Sequence, residues 1–295
     1  MKKIIIIDSN SVIHRAFHAL PPLTAKDGEV VNAVYGFITF LFKSVRQFTP
    51  DYVAACFDVS KDSFRTALFN DYKANRKKAP QELYDQIPKI KEVLKAFNVR
   101  IFEKQGFEGD DLIATIAKIK NGGLQKIILS GDLDNLQMVD KDTKVFFLRK
   151  GISDTVFFGE EEVIKKYDGI SPRQIIDLKA LKGDASDNIP GVLGIGEKTA
   201  ISLLKKYNDL ESIYLNLDSI KGSVKEKLEK NKSNAFLSRE LARMKTDVDI
   251  DFDLNECKWG NYDRVAVVKI LESFGFKSLI PKIPNGGKGD NLKLF

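Results

Sequence analysis

The sequence predicts an α/β protein with a mostly parallel sheet, helices on both of its faces, and a smaller helical region after it. In the first 160 residues, β-branched runs alternate with segments of helical periodicity. Beyond residue 160 the segments become short and helical, and glycine- and proline-containing turns separate them. A chain of 295 residues can bury a sizeable core. We therefore expect a sheet domain over residues 1–160, a helical region over residues 161–278 and a flexible tail over residues 279–295.

The first strand is predicted over residues 3–7, a continuous β-branched run typical of a strand buried on both faces. The strands and helices that follow alternate, which predicts right-handed crossovers and a mostly parallel sheet. We also expect a helix over residues 80–97, with Pro88 breaking or kinking it. In order, the other predicted elements are a helix at 33–45, strands at 52–57 and 99–102, a helix at 111–119, a strand at 126–129, and an edge hairpin at 145–147 and 155–158.

Composition narrows the class of protein. Hydrophobic residues make up 43% and charged residues 30% of the chain, as in ordinary globular proteins. The net charge of +6 suits a polyanionic partner, although many metabolic enzymes are equally basic. The two cysteines, Cys56 and Cys257, exclude a disulfide framework and fit a reducing compartment. Without a signal-peptide core or a membrane-length apolar run, we expect a cytoplasmic protein that has no membrane partner.

Acidic residues follow the predicted strands at their carboxyl ends, where parallel sheets form their ligand crevice. Asp8 follows the first strand and Asp58 the second. Each aspartate, taken singly, can also be a helix N-cap. Capping does not explain why four segments bring acidic groups to one sheet edge. The candidate residues are Asp8, Asp58, Glu108, Asp110, Asp111, Asp132, Asp134, Asp184 and Asp187.

Carboxylates that lie a few ångströms apart repel one another unless cations lie between them, and oxygen ligands suit Mg²⁺ or Mn²⁺. A histidine-based zinc site is disfavoured because His14 and His18 are the two histidines of the chain. Two metals roughly 4 Å apart would activate a water and stabilise the leaving oxygen of a phosphodiester. The cluster therefore predicts a site that binds divalent metals and cuts nucleic acid.

A glycine-rich turn precedes a helix that is predicted to begin near Glu197. Glycines at this turn allow backbone amides to approach a DNA phosphate closely, as in a helix-hairpin-helix, and carbonyls there often hold a monovalent cation such as K⁺. Such contacts carry no base information, so they hold any duplex. We place this motif at about residues 189–207, with the candidate DNA contacts Gly191, Gly194, Gly196, Lys198 and Thr199.

Residues 72–78 concentrate positive charge around one aromatic residue, Tyr72. This segment is either a solvated charged loop or, beside a metal cluster, a loop that holds a strand's phosphates and stacks a base on Tyr72. Arg65 lies shortly after Asp58 in the sequence and is a further candidate for phosphate binding.

The ordered motifs around these residues resemble the 5′-nuclease (flap endonuclease) family, most closely the 5′→3′ exonuclease domains of bacterial DNA polymerase I. The resemblance extends over about residues 3–275. One departure is Leu133, which stands where the family usually has a lysine. The motifs stand at residues 7–8, 57–58, 63–65, 72–76, 108–111, 130–134, 183–191 and 194–200.

The resemblance implies a PIN-like core, a helical arch at about residues 70–98, and two Mg²⁺ ions for which Mn²⁺ can substitute. It implies that Lys73 and Arg76 contact the scissile phosphate, that Tyr72 stacks on a base and that Arg65 assists with phosphate binding. Carried over by position, Asp8, Asp58, Glu108, Asp110 and Asp111 surround the first metal, and Asp132, Asp134, Asp184 and Asp187 hold or influence the second.

The implied activity is hydrolysis of DNA at 5′ flaps and at 5′ ends of nicks, including RNA-primed flaps, by a nucleoid-associated monomer in primer removal and repair. Two alternatives are a nuclease fold that holds branched DNA without cutting and a PIN-type ribonuclease. The complete carboxylate set disfavours the first, and the helix-hairpin-helix disfavours the second. Leu133 removes a positive charge near the second metal, and we expect it to alter rate or metal affinity.

The last five residues resemble the short Gln-Leu-x-Leu-Phe peptide by which bacterial replication proteins bind the sliding clamp. In that interpretation Leu292, Leu294 and Phe295 fill an apolar pocket, and the glycine-rich stretch before them is a tether. The alternative is a disordered chain end.

Overall fold

The computed structural model describes residues 1–59, 62–120 and 122–285. A six-stranded sheet has the strand order β3-β2-β1-β4-β5-β6. The pairs from β3 through to β5 are parallel, and the β5–β6 pair is antiparallel. The sheet confirms the predicted parallel core and edge hairpin. Its strands are β1 (Lys3–Asp8), β2 (Tyr52–Cys56), β3 (Arg100–Phe102), β4 (Gln125–Ser130), β5 (Thr143–Lys150) and β6 (Asp154–Phe158).

The isoleucines of β1 alternate between two hydrophobic clusters, one on each face of the sheet. Ile5 and Ile7 lie in the first cluster, and Ile4 and Ile6 lie in the second. Successive side chains of a strand point to opposite faces, so an unbroken apolar run requires helices on both sides. The helices of this half are α1 (Ser9–Ala19), α2 (Asn32–Phe48), α3 (Phe64–Leu68), α4 (Gln81–Tyr84), α5 (Gln86–Ala96) and α6 (Gly109–Lys118).

The predicted helix over residues 80–97 divides at Asp85 and not at Pro88. Pro88 lies in the first turn of α5, where a missing N–H costs no helical hydrogen bond. Leu83, Ile90 and Leu94 are fully buried in the first-face cluster. Helices α4 and α5, which lie within the arch predicted at about residues 70–98, therefore have their apolar face against the core.

The helical region is organised around a third hydrophobic cluster. Helix α8 packs against both α9 and α12, and the hairpin that precedes α9 lies between α8 and α9. Its helices are α7 (Glu160–Lys166), α8 (Ile175–Lys182), α9 (Glu197–Tyr207), α10 (Leu210–Leu215), α11 (Ser223–Lys230) and α12 (Lys232–Ala242).

After α12 the chain returns to the sheet. Met244 and Val248 join the second-face cluster, and Leu271 of α13 (Arg264–Ser273) and Ile283 join the first. The predicted boundary at residue 278 is therefore wrong, because residues 279–283 contribute to the core and not to a tail.

Residues 286–295 of that predicted tail, including Leu292, Leu294 and Phe295, lie outside the described residues. Among the residues that the structure describes, no helix is long and apolar enough to cross a membrane.

Candidate active site

The carboxyl ends of three neighbouring strands meet at one edge of the sheet. Asp8, the last residue of β1, is in register with Cys56 at the end of β2, and Ile7 is in register with Leu129 of β4. Asp58 therefore follows β2, and Asp132 follows β4, at the level where Asp8 ends β1. The strands' common direction brings these carboxylates together, as the sequence predicted.

Asp8 both caps a helix and faces the site. Its Oδ1 accepts a hydrogen bond from the backbone N–H of Ser11 at 3.2 Å, which caps α1. Its Oδ2 accepts from Ser130 Oγ at 2.6 Å and from Asn135 Nδ2 at 3.2 Å. Asn135 Nδ2 also donates to Asp110 Oδ1 at 3.1 Å, so one buried amide links two carboxylates. Neither Ser130, which lies in the motif at residues 130–134, nor Asn135 is among the predicted site residues, although both flank Asp132 and Asp134.

Negative charge at this edge is only partly compensated. Burial, with a contribution from the charge of Asp132, raises the pKa of Asp8 to about 6. Burial and the charges of Asp8 and Asp132 raise the pKa of Asp110 well above its ordinary value. Carboxylates that destabilise one another in this way bind a divalent cation favourably, and every donor here is oxygen. The residues therefore fit an oxygen-ligated metal such as Mg²⁺.

A cavity of about 530 Å³ opens above these carboxylates. Its lining is basic as well as acidic. The basic residues come from α1, from the segment at residues 73–76 and from the end of β5. The acidic wall contains Asp8, Asp58, Glu108, Asp110, Asp132 and Asp187, and the basic wall contains His14, Arg15, His18, Lys73, Arg76, Arg149 and Lys150.

A second carboxylate group adjoins the first. Asp134, Asp184 and Asp187 each offer a carboxylate oxygen, and these oxygens lie within 4.8 Å of one another. Lys179 of α8 donates from its Nζ to Asp184 Oδ2 at 2.6 Å and to Asp134 Oδ1. Burial opposes the ionisation of Asp184, but the charge of Lys179 and the hydrogen bonds from Lys179 and Ser186 together outweigh it and lower the pKa of Asp184 to about 2. Lys179 is not among the predicted site residues, since it carries no distinguishing signal in a lysine-containing helix.

Asp111 does not join either group. It is fully buried, and its two oxygens accept from the Nη1 and Nη2 atoms of Arg65 at 2.8 and 2.7 Å. The guanidinium also donates to the carbonyls of Leu241 and Arg243, each at 2.8 Å. In this conformation Asp111 and Arg65 are held by each other and by these carbonyls, so the structure does not bring Asp111 to the first group or Arg65 to the cavity; their expected roles at the first metal and at a phosphate stay predictions.

Glu108 receives hydrogen bonds from several side chains around it. Its Oε2 accepts from Lys73 Nζ at 2.8 Å and from the Tyr72 hydroxyl at 3.2 Å. Tyr72 is 5% exposed and packs in an apolar cluster with Ile189 and Leu241. The ring is covered in this conformation, and its expected stacking on a base stays a prediction.

The basic segment is docked on the loop that carries Asp187. Lys73 donates its backbone N–H to the Asp187 carbonyl at 2.9 Å, and Arg76 forms an ion pair with the Asp187 carboxylate. Asn75 Nδ2 donates to the Ala185 carbonyl at 2.7 Å. The structure thus favours the interpretation of this segment as part of the site over a solvated loop, and its cations lie beside the acidic groups.

The glycine hairpin has the backbone geometry that the sequence predicted. Gly191, with a φ of 63°, lies so close to Gly183 that an added Cβ would be 2.3 Å from the Gly183 nitrogen. Gly196 is the N-cap of α9, which begins at Glu197 as expected. Gly194 and Lys198 are exposed and Thr199 is half-buried, so this helix end is open to a large ligand.

Oxygen-donor carboxylates at the end of a parallel sheet, a basic loop against them and an open glycine hairpin are features of a metal-dependent nuclease. The model of the 5′-3′ exonuclease N-terminal resolvase-like domain matches residues 3–168, and that of the C-terminal SAM fold of 5′-3′ exonucleases matches residues 170–265. The chain belongs to the 5′-3′ exonuclease family.

Similar curated proteins are bacterial DNA polymerases I. Those of Caldicellulosiruptor bescii and Bacillus subtilis are 43% and 41% identical over 284 residues, covering 95% and 96% of this chain. The chain spans about a third of their length, 33% and 32% respectively.

Two solved structures show that the fold is shared. T5 5′-exonuclease with bound zinc ions has a TM-score of 0.69 at 18% identity, with 95% of this chain and 99% of that chain covered. The catalytic core of Rad2 in complex with DNA has a TM-score of 0.59 at 17% identity, with 96% and 92% covered.

Proposed function

We propose that this chain is a magnesium-dependent, structure-specific 5′ nuclease that hydrolyses DNA by a two-metal mechanism. The observation that carries the proposal is the convergence of Asp8, Asp110 and Asp132 at one sheet edge, with the cavity above them. Family membership supports the reaction class. We propose two groups of metal ligands: Asp8, Asp58, Glu108, Asp110 and Asp132 for one ion, and Asp134, Asp184 and Asp187 for the other.

When bound, the metals supply an activated water and charge stabilisation at the departing oxygen. The protein's own residues position the DNA. Lys73 and Arg76 are within reach of the cavity, and a phosphate entering it can replace Glu108 and Asp187 as their partners. These two cations would then neutralise and orient the phosphate on the acidic wall.

The hairpin at Gly191 to Gly196 would hold the duplex through backbone N–H groups, and a monovalent cation such as K⁺ would suit its carbonyls. Lys198 and Thr199, at the start of α9, would contact the same strand. Because such contacts do not select bases, substrate choice would rest on a free 5′ end that enters the cavity. Branched or nicked DNA, including RNA-primed flaps, fits this arrangement.

Likeness to bacterial DNA polymerase I supports a role in primer removal and repair in the cytoplasm, at the nucleoid.

We also propose that residues 291–295 bind the bacterial sliding clamp, with Leu292, Leu294 and Phe295 in its apolar pocket. A fluorescent peptide of residues 286–295 tests this; absence of saturable binding to the clamp removes the proposal.

The function is tested with a 5′-flap duplex labelled at its 5′ end, incubated with Mg²⁺ or with EDTA. We expect Mg²⁺-dependent cleavage near the junction, and product lengths will separate flap cutting from stepwise exonuclease action. The variant D132A/D134A is the control for contaminating nucleases. If wild-type protein gives no metal-dependent cut, or cuts a single-stranded RNA faster than the flap, the proposal fails.

A further inference from the structure

Lys179 has an unusual position for a lysine. Its side chain is 10% exposed, and its ammonium contacts both Asp134 and Asp184. Helix α8 holds it there, because Leu178 and Ala180 on either side are buried in the helical core. A lysine buried to this degree needs compensating charge, and the carboxylates provide it.

The same two residues belong to the second carboxylate group. Asp134, Asp184 and Asp187 have oxygens within 4.8 Å of one another, a spacing that suits ligands of one ion. An ammonium in hydrogen-bond contact with two of the three residues occupies that space and satisfies their charge. If a divalent ion were bound by these carboxylates, that ion and the ammonium would also repel each other at contact distance. The two cations therefore compete.

We propose that Lys179 is an internal counter-ion that competes with a divalent metal for Asp134 and Asp184, and so sets the affinity of the second metal position. The inference rests on the proposed metal-dependent function. It predicts that part of the metal's binding free energy is spent on displacing the ammonium. It also predicts that the carboxylates stay close together without a metal because Lys179 neutralises them.

Leu133 stands between Asp132 and Asp134 and is half-buried against the second-face cluster, so that position provides apolar packing and no cation. The positive charge in contact with Asp134 is that of Lys179 on α8.

Mn²⁺ binding without DNA tests the proposal, with isothermal titration calorimetry to count ions and measure their affinities. We expect K179M to bind the weaker ion about tenfold more tightly, or to bind a second ion that wild type lacks, since tenfold corresponds to about 1.4 kcal/mol. K179R keeps the charge and should behave like wild type. An unchanged ion count and affinity in K179M, or weaker binding, overturns the proposal.

Thermal unfolding provides a second readout. K179M should unfold at a lower temperature than wild type in EDTA, because Asp134 and Asp184 then repel each other without their counter-ion, and Mn²⁺ should remove most of that difference. A purely structural role for Lys179 predicts the same loss in EDTA and in Mn²⁺. If K179M does not fold in EDTA, it is prepared with Mn²⁺ and its affinity is measured by chelator competition.

K182M is the matched control, since Lys182 lies on the same helix and pairs with Glu197 outside the carboxylate group. It should leave ion binding unchanged. Neither readout uses DNA cleavage, so failure of the proposed nuclease function would not alter them. Conversely, an active nuclease whose K179M variant binds Mn²⁺ as wild type does would contradict this inference alone.

Discussion

Arg65 and Asp111 form a two-point ion pair in the interior, with guanidinium–carboxylate distances of 2.7 and 2.8 Å. The backbone N–H of Lys245 donates to the same carboxylate at 2.8 Å, and Arg65 bonds to the carbonyl of Leu241. Asp111 is on α6, whose first turn also carries Asp110. The pair therefore joins the sheet half to the end of α12 directly behind the acidic wall.

Replacing Arg65 with alanine should destabilise the protein by about 3–5 kcal/mol, because it leaves Asp111 charged and unpaired in the interior. Denaturant unfolding measures the change. R149A is the matched control: Arg149 pairs with Asp154 on the surface, with side chains 66% and 36% exposed, and should cost less than about 1 kcal/mol. An R65A loss as small as that of R149A would contradict the structural role.

The charge of Asp110 should lower the stability of the metal-free protein and yet be needed for cleavage. Burial and, after it, the charges of Asp8 and Asp132 disfavour its ionised form and raise its pKa. D110N removes that charge and can keep its contact with Asn135, so in EDTA it should unfold at a higher temperature than wild type. In Mg²⁺ its cleavage rate should fall by more than about 100-fold, since it loses a proposed metal ligand. D140N, at a surface carboxylate that pairs with Lys118, is the control and should not gain stability.

Stability of the metal-free protein should fall as pH rises through about 6. Asp8 and Asp134 have pKa values near 6, raised from 3.8 mainly by burial. Between pH 3.8 and about 6 the folded state therefore binds more protons than the unfolded state. The contribution of these two groups to stability is fully present below pH 3.8 and is lost as the pH rises through about 6.

Mg²⁺ should reverse this trend because it binds the ionised carboxylates. The increase in melting temperature on adding Mg²⁺ should be large at pH 8 and small at pH 5. Melting curves from pH 5 to 8, in EDTA and in Mg²⁺, measure both effects. A Mg²⁺-induced increase that does not change with pH would contradict the assignment of Asp8 and Asp134 to the sites.

The sequence predicted the sheet edge well because strand direction alone fixes it. Asp8 and Asp132 follow parallel strands, and no side-chain detail is needed to place them together. It could not predict that Arg65 points into the interior, since an arginine near acidic motifs suits either a phosphate or a buried carboxylate. The position of Lys179 depends on how α8 packs, which periodicity does not report. Periodicity likewise indicates the apolar face of α5 but not the core against which that face packs.

Two glycines of the hairpin have different surroundings, so substituting each one tests a different property of the hairpin. An added Cβ at Gly191 would meet the Gly183 nitrogen at 2.3 Å, at a φ that side chains rarely adopt. At Gly196 nothing lies within 4 Å of an added Cβ. In G191A the backbone at residue 191 must move away from Gly183. The variant should therefore have a lower melting temperature and bind duplex DNA more weakly, by about tenfold or more.

G196A is the matched variant and should leave the melting temperature nearly unchanged. A methyl group there extends from the N-terminus of α9, where the proposed DNA backbone approaches, so it should still weaken duplex binding. Fluorescence anisotropy with a labelled duplex in Ca²⁺, beside thermal unfolding, measures both quantities. Wild-type affinity for DNA in G196A would place the duplex elsewhere than on this hairpin.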